Sequence, residues 1–346
     1  MATDRTELAL AGPAGLPEEP DAAQATGVGP GRLALRRLRR NRPALAFGVL
    51  FLVIVALCLA APIWSHDVAH IGPSGGDNLN QVVVDGKKKD VVSPDGVAIG
   101  PTWHGRYFLG AANPTGDDLA VRLLYGGRNS LIIGVSAAFI TTCLALILGT
   151  LAGFLRGVTD GVISRVMDVI WAFPVILLGI ALGTAFALGG INLGLVTIGS
   201  DSKLVPILII AIVYVPYMGR PIRGQVLGLR EREFVEAARA QGMRPLRLMF
   251  SEILPNLSST VIVFFPLMVA NAILLEAALG FVGVGVRLPE ASWGTLIGLG
   301  VEKIQTGPHL AIVPGTMLVL AVLGLNVFGD GVRDAFDPRS TIREEH

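Results

Sequence analysis

Residues 44–64 read ALAFGVLFLVIVALCLAAPIW, twenty-one residues without a charge. At 1.5 Å per helical residue the run crosses a hydrocarbon core of about 30 Å. It is longer than the roughly 7–15 residue core of a cleaved secretory signal, so it predicts an uncleaved first span. Five further apolar stretches follow, at residues 130–155, 162–188, 204–218, 260–284 and 310–332. A backbone in lipid must satisfy its own hydrogen bonds, which makes each stretch a helix. The prediction is an all-α integral membrane protein with six transmembrane helices. Pro174, Pro206, Pro216, Pro266 and Pro314 then mark expected kinks or helix ends.

The composition agrees. Only 16% of the 346 residues are charged and 52% are hydrophobic, against about 25% charged in an average soluble domain. The net charge of +1 singles out no partner, but its distribution orients the chain. With the amino terminus inside, cytoplasmic segments hold nineteen of the 28 basic residues and external segments nine. The positive-inside rule therefore puts both termini in the cytoplasm. The arginines at 32, 36, 37, 39, 40 and 42 abut the first span, so they read as a topology and anionic-lipid anchor, not a nucleic-acid arm.

Residues 1–31 lack apolar periodicity and are expected to form a disordered cytoplasmic tail. Residues 32–65 form the basic anchor and first helix, and residues 66–128 an external loop. There Asp85-Gly86 reads as a hairpin turn between short strands, a small β element. Residues 129–340 make a five-helix core containing a cytoplasmic loop at 222–258, and residues 341–346 a second cytoplasmic tail.

Catalytic chemistry is missing from the text. Cys58 and Cys143 fall in apolar runs, with neither disulfide nor metal-ligand spacing. His66, His70, His104, His309 and His346 are scattered and form no metal site. There is no Gly-x-x-x-x-Gly-Lys-Ser/Thr phosphate loop, no nucleophilic triad and no paired carboxylates. The chain is read as a non-enzyme without catalytic, cofactor or metal residues.

The cytoplasmic loop carries the most specific pattern. Residues 234–256 read FVEAARAQGMRPLRLMFSEILPN. Good helix formers fill 231–241, Gly242 can take a positive φ at a helix C′ position, and Pro245 suits the first turn of a second short helix. Pro255 is expected to end that helix. The product is a helix–turn–helix knob, with Ala237, Ala238 and Ala240 small enough to let a partner approach. This segment resembles the signature loop of ATP-binding-cassette importer permeases, matched at Glu236, Ala237, Ala238, Gly242, Ile253, Leu254 and Pro255.

Other segments are similar to one branch of that family, the C-type subunit of dipeptide and oligopeptide importers. They are Phe108-Leu-Gly-Ala with Leu119 to Leu131, Arg165-Val-Met-Asp with Ala172-Phe-Pro, Glu276 to Gly285 with Ser292-Trp-Gly, and Gly329 to Pro338. The likeness runs from about residue 33 to residue 340. Ala112 and Asp117 depart from it where an acid and an arginine are usual, and Glu252 where histidine is common.

The resemblance implies a multi-pass subunit of a bacterial plasma (inner) membrane. Its implied partners are a sister permease subunit, two ATP-binding-cassette ATPases that bind ATP and Mg, and an external substrate-binding protein. A peptide is the implied substrate; nickel or glutathione import by the same machinery is the alternative. An ion-coupled secondary transporter or a membrane scaffold would be a different class. The first calls for several intramembrane charges and an inverted repeat, and the second would lack the knob.

Two acids stand apart. Glu276 lies inside the fifth span, where an ionised carboxylate costs roughly 2.5–3.5 kcal/mol on insertion scales. It must face protein or a watery path, so it either lines or gates a pore or pairs with a neighbour such as Asn271 or a partner subunit. Asp168, about one turn from a cytoplasmic helix end, is the second gating candidate. Gly280, Gly283 and Gly285 read as close-packing positions.

Overall fold

The computed structural model describes residues 30–74, 76, 80–84, 86–103, 105–112, 116–189, 191–192 and 197–336. Nearly all of the tail expected at 1–31, and that at 341–346, lie outside the described residues, as do Asp85, His104 and His346. The chain enters through α1 (Pro30–Arg40), whose last turn carries Arg37, Arg39 and Arg40. The Asn41 side chain accepts from the Ala44 amide at 3.1 Å and caps α2 (Arg42–Leu59), with Pro43 in its first turn. A short α3 (Ala61–Ile63) and a π-helical turn (Trp64–Ala69) carry the chain onward.

In the segment that follows, β1 (Gln81–Val84) pairs antiparallel with β2 (Lys87–Asp90), and β3 (Ala111–Ala112) with β4 (Asp117–Asp118). Asp118 then sets where the second long helix begins. Its carboxylate accepts from the Ala120 and Val121 amides at 2.8 and 3.1 Å, an N-cap that satisfies donors no helix can satisfy internally. Burial pushes this carboxyl above its ordinary range, opposed by the Tyr107, Val121 and Ala120 amides and the Arg106 charge. Helix α4 (Leu119–Leu155) accordingly starts at Leu119, where the hydropathy run suggests residue 130.

The third expected span is corrected most. Residues 162–188 do not form one helix but two, α5 (Gly157–Trp171) and α6 (Val175–Gly189), set at 91° to each other. Pro174 causes the break: it has no N–H to give, and it disfavours helical backbone at Phe173. After β5 (Ile191–Asn192) and β6 (Thr197–Ile198), α7 (Leu204–Leu229) runs through Pro216 and Pro221. The loop that follows α7 therefore begins at Arg230, where the helix is capped. It contains α8 (Glu233–Ala240), α9 (Pro245–Leu248) and α10 (Leu254–Asn256). Then come α11 (Ser258–Phe281), the short α12 (Trp293–Val301) and α13 (His309–Phe336), with Pro266 and Pro314 inside continuous helices.

Five of these helices are long and apolar enough to cross a membrane, and the bent α5–α6 pair makes a sixth span if it counts as one. Helix α4 is the axis of the bundle, packing on α7, α11 and α2. A Cβ at Gly149 would stand 2.8 Å from the Gly219 carbonyl oxygen, and one at Gly153 would stand 2.8 Å from Val226 Cβ. Glycine alone permits that approach, and lipid offers no hydrophobic drive to replace it. Ile133, Ala145, Ile210, Met218, Ile222 and Ile273 fill the core. Gly280 and Gly285 sit in close contacts as expected, but Gly283 is a turn glycine at φ +81° with nothing near its missing Cβ.

Candidate functional site

Helix α8 opens from the extended Arg232 with Glu233 and Glu236 in its first turn and Arg239 in its last. These charges complement the partial positive and negative ends of the helix. It closes at Gly242, whose φ is +77°. There the Gly242 amide reaches the Arg239 carbonyl at 2.9 Å, and the Met243 amide reaches that of Ala238 at 3.1 Å. These two bonds and the left-handed glycine make a Schellman closure. Arg244 is extended, and Pro245 starts α9.

The segment does not stop at Pro255. From α9 the chain widens into a π-helical turn (Met249–Ile253) and passes through Pro255 in α10. A π turn within a helical stretch accommodates missing and mismatched backbone bonds, so the proline is absorbed.

The seven candidate residues of this loop divide by burial. Ala238 and Ile253 are buried and Leu254 is half-buried, while Glu236, Ala237, Gly242 and Pro255 are exposed. Val235, Leu248, Ile253 and Leu257 join the main core, so the knob is rooted in the bundle. Three of its large apolar side chains face outward: Phe234 is 39% exposed, Leu246 65% and Phe250 61%. Sequence reasoning missed these three. The available signal was large apolar residues in a loop otherwise crowded with arginine.

Charged contacts bind the root of the knob to neighbouring helices. Arg156 at the end of α4 meets Glu231 at 2.6 Å, and Arg230 donates to the Phe154 carbonyl at 2.9 Å. Arg239 of α8 lies 5.8 Å over the Phe154 ring. On α7, Arg223 grips Asp160 of α5 with two bonds of 2.6 and 2.7 Å. Asp168 pairs with Arg220 at 2.7 Å, and that guanidinium stacks 4.4 Å over Trp171. Asp168 is thus part of the α5–α7 contact.

Glu276 sits elsewhere. It is wholly buried, and Ser130 Oγ donates to its Oε2 at 2.7 Å. The same Ser130 oxygen accepts from the Trp293 amide at 3.1 Å. Glu276 therefore ties α11 through α4 to the amino end of α12, where Ser292 and Thr295 form a capping box. Its partner is Ser130; Asn271 accepts through its carbonyl from Tyr214 at 3.3 Å instead. The structure brings the knob residues together and leaves Glu276 in a separate interior node.

Residues 145–342 match the family described as binding-protein-dependent transport system inner membrane component. Residues 29–80 match the N-terminal TM domain of oligopeptide transport permease C. The chain is 35% identical over 324 residues to a dipeptide transport system permease protein, DppC, of Alkalihalophilus pseudofirmus, covering 92% of this chain and 93% of that one. It is 36% identical over 239 residues to the oligopeptide transport system permease protein OppC of Haemophilus influenzae, covering 69% and 72%. A glutathione transport system permease protein, GsiD, of Pectobacterium atrosepticum is 30% identical over 310 residues, covering 90% and 91%. Among solved structures, an inward-facing form of the MetNI methionine ABC transporter aligns with a TM-score of 0.50 at 19% identity. That alignment covers 62% of this chain and 96% of that one, and bears on the fold alone.

Proposed function

We infer that this chain, which belongs to the family of binding-protein-dependent transport system inner membrane components, is the permease subunit of an ATP-driven importer of di- and oligopeptides. It lies in a bacterial plasma membrane with both termini cytoplasmic, and forms half of a translocation path with a sister permease subunit. Two separate ATPase subunits bind ATP and Mg, and an external binding protein delivers the peptide. Relatives named for dipeptides and oligopeptides support the substrate class. The relative named for glutathione, itself a small peptide, keeps that cargo as the second reading.

The observation that carries the mechanism is the rooted knob with uncovered apolar side chains. Phe234, Leu246 and Phe250 are exposed on the segment that turns at Gly242, while Val235, Leu248 and Ile253 anchor the same segment in the core. A rooted element with exposed apolar side chains is suited to seat in a groove of an ATPase and to pass a push to α7 and α11. Glu236, at the exposed side of α8, adds an acid for a basic groove.

The test is reconstitution of the complete complex in vesicles, with ATP-dependent uptake of a labelled dipeptide measured. Uptake that requires both ATP and the binding protein is expected. ATP-independent uptake driven by an ion gradient would sink the reading.

A further inference from the structure

A groove of about 360 Å³ runs along the first span where α2, α4, α11 and α13 meet, lined by Leu45, Val49, Leu52, Val135, Phe265 and Phe328 among other apolar residues. Its size is that of a small-ligand pocket, about 300–1,000 Å³. Such pockets carry a few polar groups to orient their ligand, yet no described side chain lining this one has a polar atom. Its α2 wall, from Leu45 to Leu52, is about 10 Å long at 1.5 Å per residue. That length fits within one leaflet of a core of about 30 Å.

Polar chemistry begins at the cytoplasmic end. Arg42 opens α2, three residues before Leu45 and seven before Val49, and so falls on the groove's face of that helix. Arg39 and Arg40 end α1, just before the Asn41 cap. All three arginines are exposed, and none has an ion pair among the described residues. Helix α1 packs on both α2 and α13, which fixes the cluster beside the wall that those two helices share. The acids of α13, Asp330 and Asp334, stand two and six residues beyond Phe328 and face away from it at 3.6 residues per turn.

In a bilayer a concave apolar wall is filled by another helix or by an acyl chain. Helices approach one another through small residues at the interface. Among the described residues lining the groove the one glycine is Gly48, and it is already covered: a Cβ there would stand 2.8 Å from the Phe328 ring. The rest of the lining is leucine, valine, phenylalanine and one proline, which holds a second backbone away. An acyl chain needs no such approach. Three unpaired cations at one end then call for an anion on the same molecule.

We propose that the groove and its arginines bind an anionic phospholipid of the cytoplasmic leaflet, an acyl chain along Leu45–Leu52 and the phosphate against Arg42, with Arg39 and Arg40 adding to the field. A basic cluster on the cytoplasmic side of membrane helices suits such a headgroup. The site requires the orientation with both termini inside, but no particular cargo.

The experiment uses the purified complex of both permease subunits and both ATPases, stripped of lipid in detergent. It is titrated with dioleoyl phosphatidylglycerol or with zwitterionic dioleoyl phosphatidylcholine, and native mass spectrometry counts the lipids held. The wild type should hold a phosphatidylglycerol at least about tenfold more tightly than phosphatidylcholine. Arg42→Gln should weaken that binding about fivefold, the worth of one arginine against an anionic surface, and Arg42→Lys should keep it. Val49→Trp fills the groove from a position 57% exposed, where folding is not at stake. It should release the same lipid while the sister subunit stays bound.

Equal retention of the two lipids would overturn the site. Phosphatidylglycerol lost in Arg42→Gln but unchanged in Val49→Trp would also overturn it, because the arginines would then hold headgroups without the groove. Loss of the sister subunit in Val49→Trp would show that a helix occupies the groove instead. Failure of peptide uptake in the wild type bears on the cargo and leaves this lipid binding as measured.

Discussion

At the residue scale, Gly242 and Glu276 show opposite ways in which one position can be demanding. Nothing lies within 4 Å of a Cβ built on Gly242, so its constraint is conformational. At φ +77° a β-branched residue is strained, by about 1–3 kcal/mol. Gly242→Val should leave the spans inserted and the sister subunit bound, yet cut ATPase pulldown and uptake by at least about tenfold. Gly242→Asn tolerates the left-handed region and should retain most activity; failure of both variants alike would point to lost contact area instead. For Glu276 the constraint is burial. Glu276→Gln can still accept from Ser130 and should change stability little, whereas Glu276→Leu strands the Ser130 hydroxyl at a cost of about 1–3 kcal/mol. Denaturation of the purified complex distinguishes them. Transport lost in Glu276→Gln at unchanged stability would instead make this carboxyl part of the path.

At the element scale, local caps and breaks fix where helices begin and bend, and longer-range contacts fix how they join. Asp118 starts α4 well before the apolar run, and Pro174 divides the third span, having no N–H for the helix ladder and disfavouring helical backbone at Phe173. The α5–α7 contact is held by the two-pronged Arg223–Asp160 pair, one-third and one-fifth exposed. A double-mutant cycle with Arg223→Ala and Asp160→Ala should give a coupling energy of about 1 kcal/mol, the upper range for exposed pairs. Zero coupling would mean that helix packing alone holds α5. The knob follows the same logic. Its helices are short, and the core contacts of Val235, Leu248 and Ile253 supply the stability that propensity cannot.

At the scale of the whole molecule, the bundle presents an outer surface that water would not tolerate. Leu52, Phe139, Ile147 and Val319 are all more than half exposed, as expected of side chains facing lipid or a second permease subunit. Orientation in that lipid is testable. In a background with Cys58 and Cys143 replaced by alanine, single cysteines at Asp95 and Gln241 should respond differently to an impermeant thiol reagent applied to intact cells. Residue 95 should react and residue 241 should not. Equal labelling of the two would sink the arrangement with both termini inside.

The membrane class, the run of apolar helices and the glycine turn of the knob were legible in the text itself. Each depends on local physics: an uncharged run long enough for lipid, a residue free to adopt positive φ, a proline at a helix start. The position of Ser130 beneath Glu276, across 146 residues of chain, was not legible, because hydropathy says that a buried acid needs a partner but not which helix brings one. The outward turn of Phe234, Leu246 and Phe250 depended on which face of a short segment the core claimed. The buried Arg122–Asp117 pair, five residues apart in sequence, depended on the fold that closed over both side chains. Local preferences act within a helical turn or two, whereas burial and pairing are settled by whichever distant elements the packed bundle sets side by side.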